Sequence, residues 1–293
     1  MEDDPSKKAP SATESLGDSS GHHDVESEEL PEEELPDNEE LEGIEGGGLA
    51  DRMDVTEHLS ELRGVLVRSL IAFCIVFISC YNFVEPVVLF LERPLLDLLP
   101  AGNQNLYFTG IGDKFFVYLK VCALVSVAVA SPYLLFEIWR FVSPALYPTE
   151  RKFALPFIIL GSVAFALGMV FAYGIVIPYG YKFLLEFGSS NDQAIITLKE
   201  YFGLTLKMLF ALGLVFELPV VLILLGKLQV IDAALLIRFR RHAFLGVAVL
   251  AAVITPSPDA FTMMLVTGPL WLLYEFSIWG VKFVNPRGES RFR

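Results

Sequence analysis

The chain has 293 residues, of which 54% are hydrophobic and only 19% charged, with a mean hydropathy of +0.53. Ordinary soluble domains are about a quarter charged, so a soluble globule is excluded. The net charge of −13 is uneven: residues 1–54 hold 19 of the 35 acids and three of the 22 Lys and Arg, and the remainder is slightly basic. No aqueous segment carries a basic stripe with interleaved aromatics, which excludes nucleic-acid binding.

Residues 1–52 read as a disordered acidic tail, because runs such as Glu32-Glu33-Glu34-Leu35-Pro36-Asp37 offer too little apolar surface to offset chain entropy. The segment lacks the basic and apolar regions of a secretory signal peptide, so no N-terminal cleavage is expected. Residues 53–284 form the membrane domain, and residues 285–293 a short basic tail.

A hydrocarbon core of about 30 Å needs roughly 20 apolar residues per helix. Six candidate spans satisfy or approach this: 64–84, 115–139, 153–177, 203–225, 242–255 and 260–280. The fifth is short. The expected class is all-α, a polytopic six-helix bundle. Arg52, Arg63, Arg68, Arg140, Arg151, Lys152, Lys227, Arg238, Arg240, Arg241, Lys282, Arg287, Arg291 and Arg293 fall on one set of alternate connections. The other set has only Arg93, Lys114, Lys182, Lys199 and Lys207, so both termini are expected in the cytoplasm.

The connection 85–114 contains Pro86, Pro94 and Pro100 and a run from Val87 to Leu91 too short to span; it is expected in the interface or against the bundle. In 178–202, Tyr179, Tyr181, Phe183 and Tyr201 suit the head-group level. Pro132, Pro156, Pro219 and Pro269 should kink or open their helices. Cys74, Cys80 and Cys122 lack CxxC spacing and read as small core or lipid-facing residues.

Metalloprotease, nucleophile-elbow and phosphate-loop signatures are absent, as is paired Cys/His spacing, so no enzyme, metal or cofactor is expected. Acids at membrane level are more informative. Asp54-Val55-Thr56-Glu57 reads as a capping box opening a helix that carries Glu61 into the first span. Glu61 either solvates that helix, pairing with a nearby Arg, or faces a ligand. Glu150, after Pro148-Thr149, complements a helix N-terminus. Together the two carboxylates suit a ligand with two arginines, since a guanidinium meets a carboxylate in a planar two-bond fork that lysine cannot reproduce. Glu217 lies inside the fourth span beside Pro219, where an acid is functional by default. Asp259 is placed to cap the last span, with a structural and a functional reading both open. A proton-coupled solute carrier using Glu217 and Asp259 is the rival reading, but no internal repeat supports it.

Several segments in order resemble a known family: His58-Leu59-Ser60-Glu61-Leu62-Arg63, then Phe136-Glu137-Ile138-Trp139-Arg140-Phe141-Val142-Ser143-Pro144-Ala145-Leu146-Tyr147 with Glu150-Arg151, then Phe216-Glu217-Leu218-Pro219, and Thr255-Pro256 before Asp259. Over residues 53–284 the chain resembles the TatC family, the multi-spanning subunit of the twin-arginine protein translocase. The resemblance implies a cup-shaped six-helix receptor in a bacterial-type inner membrane. It would bind twin-arginine signal peptides and carry folded proteins outward on the proton-motive force, with single-span TatA/TatB-type subunits and further copies of itself. It also implies that Glu61 and Glu150 meet the arginine pair, with Arg63 and Phe141 in the same surface. Glu217 would be the buried acid of the concave side and Asp259 the acid of the last outer loop, and the fifth and sixth spans would dock partner subunits. Glu137 and Met263 stand where many or some members have glutamine, and Glu137 is expected to pair with Arg140 rather than contact the signal peptide.

Overall fold

The computed structural model describes residues 38–100, 105–143, 154–187, 195–255 and 259–284, with side chains from Ser60 onward. The chain divides into two compact units between Met53 and Asp54, and everything below except the start of the first helix concerns the second, Asp54–Arg293. Nearly all described residues are helical, in the order α1 Asn38–Tyr81, α2 Val84–Leu96, α3 Asp113–Val142 and α4 Ala154–Phe171. A π-helical turn, Ala172–Val176, leads into α5 Ile177–Glu186. Then come α6 Leu198–Phe216, α7 Leu218–Lys227, α8 Ala233–Arg238, α9 Arg240–Ile254 and α10 Ala260–Val284. Residues 38–52, expected in an unstructured tail, have helical backbone as the beginning of α1; residues 1–37 and 285–293 lie outside the described residues.

Among the described residues, five helical segments are long and apolar enough to cross a membrane: Ser60–Tyr81, Asp113–Val142, Ala154–Glu186, Leu198–Lys227 and Ala260–Val284. The segment expected as the fifth span corresponds to α9, which is not one of these five: its 15 residues rise only about 22 Å. The core is organised on α6. Leu198, Tyr201, Phe202, Thr205, Leu209 and Leu212 recur three and four residues apart, so one face is buried along its whole length. Against it pack the inner faces of α2, α3, α9 and α10 and the π-helical turn, through Leu95, Val121, Ala251, Val266 and Val176. The turn of chain 85–114 is therefore a helix folded onto the bundle: Val84, Val88, Leu91 and Leu95 of α2 share one buried face. A second cluster at the far end of α3 joins Trp139, Phe157, Val220 and Leu224.

Tyr181 and Tyr201 are not interfacial anchors. Both are buried, because their hydroxyls find internal acceptors: Tyr201 donates to the Leu91 carbonyl at 2.5 Å, and Tyr181 to the Tyr201 carbonyl at 3.1 Å. Tyr179 is exposed, and Tyr173 donates to the Phe90 carbonyl at 2.8 Å. That last bond has a cause. Phe90 stands four residues before Pro94, which has no N–H to offer it, and the tyrosine supplies the missing donor. Pro132 is accommodated in the same way: Ser131 Oγ donates at 2.9 Å to Ala128, the carbonyl that Pro132 leaves unserved. α3 thus continues through its proline, whereas Pro156 sits in the first turn of α4, where no helical N–H is needed. α10 also runs on through Pro269, and of the four prolines expected to kink a helix Pro219 alone stands at a break, with Glu217 as the joint between α6 and α7. Cys122 is buried and its thiol donates to the Phe77 carbonyl at 3.1 Å; Cys74 is exposed and all three cysteines are free.

Candidate functional site: membrane-level acids around α3

Glu217 ends α6 and begins α7. Its side chain is buried, and its Oε2 has no hydrogen-bond partner among the described residues. The niche it occupies is set by a glycine on α4: a Cβ on Gly161 would fall 3.0 Å from that oxygen and 2.6 Å from Leu135 Cδ1 of α3. Two turns further along α4, Gly168 lets α6 come close enough that a Cβ would meet the Leu212 carbonyl oxygen at 2.5 Å. The joint at Pro219 frees the local backbone, and the two glycines bring α4 against it, so a carboxylate is enclosed between α3, α4 and the α6–α7 joint.

On the other side of α3 a second acid is enclosed and fully bonded. Glu137 is 1% exposed, and the Arg68 guanidinium of α1 grips it: Nε lies 3.0 Å from both carboxylate oxygens and Nη2 3.0 Å from Oε2. Tyr133 donates to Oε1 at 2.9 Å. Gly64, one turn before Arg68, leaves the room, since a Cβ there would approach Arg68 Nη1 to 3.0 Å. The expected partner Arg140 is exposed and adds its charge from a greater distance, while the bonds come from Arg68 and Tyr133. Residues 135 and 137 are separated by about 200° around a helix, so α3 carries the unpartnered acid on one face and the paired acid on the opposite face at nearly one level.

This pairing also orients the expected recognition residues. Arg68 of α1 lies beside Glu137 of α3, and Phe77 beside Cys122, so the two helices run antiparallel. Glu61 is then about 10 Å beyond the ion pair along α1, and Phe141 about 6 Å beyond it along α3, towards the same end of the bundle. Glu61 and Arg63 are exposed and Phe141 is half-buried. Glu150, with Arg151 and Lys152, lies outside the described residues. Asp259 caps α10: its carboxylate accepts the Thr262 N–H at 2.7 Å and bonds the Thr262 hydroxyl. Glu275 of α10 pairs with Arg240 of α9 at 2.7 Å. Met263 packs against the core. No group of His, Cys, Asp and Glu able to hold a metal occurs among the described residues.

The sequence reading missed Arg68 and Tyr133 as partners of Glu137. A signal was present: an arginine and a glutamate of opposite sign, each inside an apolar run, need one another at membrane depth.

Comparison with known proteins gives one answer. A family model described as TatC, Sec-independent protein translocase protein, matches residues 57–269. The Sec-independent protein translocase protein TatC of Desulforapulum autotrophicum is 42% identical over 240 residues, covering 82% of this chain and 88% of that protein. That of Carboxydothermus hydrogenoformans is 39% identical over 238 residues, covering 81% and 96%. A crystal structure of the twin-arginine translocase receptor TatC superposes with a TM-score of 0.67 at 36% identity, over 78% of this chain and 99% of the other. With the helical order, the spans and the enclosed acid already in place, these matches show that the chain belongs to the TatC family of Sec-independent protein translocase proteins.

Proposed function

We propose that this protein is the signal-peptide receptor and core subunit of a twin-arginine translocase. It binds the paired arginines of a signal peptide through Glu61 and Glu150, with Arg63 and Phe141 in the same surface. It supports export of folded cargo together with single-span TatA/TatB-type subunits and further copies of itself, driven by the proton-motive force. The observation that carries this reading is the convergence of Glu61 and Phe141 at one end of the bundle, beyond a carboxylate already neutralised by Arg68. Glu61 is exposed there, where a peptide in the interface can reach it. The excess of Lys and Arg on alternate connections supports a cytoplasmic position for that end and for both termini, in a bacterial-type inner membrane crossed six times with α9 as the short fifth span. Exposed apolar side chains on α9 and α10, among them Val253, Met264, Phe276 and Trp279, support docking of the partner subunits there. The work needs no covalent chemistry by the protein.

A photocrosslinkable twin-arginine peptide should label the protein near Glu61 and Glu150, and its twin-lysine version should not. Equal labelling by the two peptides would overturn the two-carboxylate mechanism. Glu150→Ala should impair signal binding more than later transport, and Glu217→Ala the reverse. Deleting residues 1–50 should leave signal binding intact.

A further inference from the structure

At the end of the bundle where α2 lies, the beginnings of α3 and α6 diverge around a cleft of about 950 Å³. Its mouth is formed by the two connections that enter these helices, which contribute Thr109 and Thr197. They are fastened by backbone bonds from Tyr107 N–H to the Ile196 carbonyl at 3.1 Å and from Leu198 N–H to the Tyr107 carbonyl at 2.7 Å. Three lysines line the cleft: Lys199 in the first turn of α6, Lys120 of α3 and Lys207 of α6. Lys120 and Lys207 stand seven and nine residues inside their helices, about 10 and 14 Å along them. Both are exposed, and neither has an ion-pair partner among the described residues. The one carboxylate in the lining, Glu200, is occupied by the start of α6: it accepts the Thr197 hydroxyl at 3.0 Å while its N–H donates to Thr197 Oγ1. Asp113, near Lys199, is similarly held by Gly110 N–H at 2.7 Å. Deeper in, the lining is apolar: Leu124, Val127, Phe210.

We propose that this cleft binds an anionic phospholipid, its phosphate held by Lys120, Lys199 and Lys207 and its acyl chains laid along Leu124, Val127 and Phe210. Ionisable residues within membrane spans are rare, and they mark ligand sites or pair with an opposite charge. Here no ion pair neutralises Lys120 or Lys207 among the described residues. The cleft grades from hydroxyls at the mouth, through ammonium groups whose aliphatic stems let them rise to the head-group level, to hydrocarbon below, which is the order of polarity in a phospholipid. A soluble anion has nothing to place on the apolar half. A spanning partner helix would have to continue past the connections that supply Thr109 and Thr197, whereas a lipid head group ends there.

The test is native mass spectrometry of the full-length protein exchanged from micelles containing phosphatidylglycerol, cardiolipin or phosphatidylcholine. One anionic lipid should be retained in preference to phosphatidylcholine. Lys120→Gln and Lys207→Gln should each lower that retention roughly five-fold. Lys182→Gln, on α5 and outside the cleft, should not change it. Wild-type protein alone already decides the matter: equal retention of phosphatidylcholine and phosphatidylglycerol overturns the proposal. So does unchanged retention in folded Lys120→Gln/Lys207→Gln protein. Release of the bound lipid by millimolar inorganic phosphate would assign the site to a soluble anion instead. Displacement of phosphatidylglycerol by an acidic single-span helix, with the lysines still required, would assign it to a protein partner and equally overturn the lipid.

Discussion

Replacing Gly168 by alanine tests whether the α4–α6 crossing is what shapes the Glu217 niche. The added Cβ would stand 2.5 Å from the Leu212 carbonyl oxygen and 2.9 Å from Gly213 Cα. Ordinary contacts begin near 3.4 Å, so the helices must separate by close to an ångström. The obstructing atoms are backbone and cannot swing aside. Overpacking of this kind costs about 1–3 kcal/mol, and a domain of this size loses about 2–4 °C of melting midpoint for each kcal/mol. Because Gly161 is on the same helix, two turns earlier, the separation also loosens α4 from the Glu217 carboxylate. The assay is a melting curve in detergent, with Gly268→Ala as the matched change: a Cβ on Gly268 meets nothing within 4 Å, and alanine is the better helix former by about 1 kcal/mol. Gly168→Ala should melt below wild type and Gly268→Ala at or above it. If the two variants melted together, close approach of α4 and α6 would not be a determinant of this fold, and the account of the niche would fail with it.

Arg68→Leu should destabilise the protein by leaving Glu137 buried and bonded only by Tyr133, and Glu137→Leu should strand Arg68 in the same way; Arg68→Leu/Glu137→Leu should melt higher than either single variant, which a thermal-shift series will read. Tyr173→Phe removes the substitute donor from the Phe90 carbonyl and should cost about 1 kcal/mol. Restoring an N–H by Pro94→Ala should recover stability in that background, as measured by the same melting curves. Asp259→Ala should cost about 1 kcal/mol through loss of the α10 cap, and Asp259→Asn much less.

What the sequence made legible follows from what is local. Spans and their limits depend on runs of apolar residues, and the capping role of Asp259 depends on a residue three positions away. That Val87–Leu91 is too short to span is legible in the sequence, but of its two readings, in the interface or against the bundle, only the packing of α2 selects the second. Tyr181 and Tyr201 were misplaced because an aromatic with a hydroxyl looks the same at the head-group level and in a core that offers a carbonyl; only the approach of α2 distinguishes them. Glu137 was paired with its helical neighbour Arg140 because local spacing alone cannot show which face turns towards α1, 69 residues earlier. The niche of Glu217 was half legible. Its membrane position and Pro219 were in the sequence, but the contribution of Gly161 appears only once α4 crosses it.

The α1 span has only 6% of its apolar window buried, against 22–44% in the other four spans, and the Arg68–Glu137 ion pair ties it to α3. During synthesis this first helix leaves the ribosome well ahead of its counterion. The 69 residues between them take about 3–14 s to make at 5–20 residues per second. Over that interval Arg68 must be tolerated by lipid or sheltered by the insertion machinery, and the arrival of α3 is what makes the placement of α1 permanent. Biogenesis of this subunit is therefore ordered by charge: the first span enters provisionally, and the second commits it.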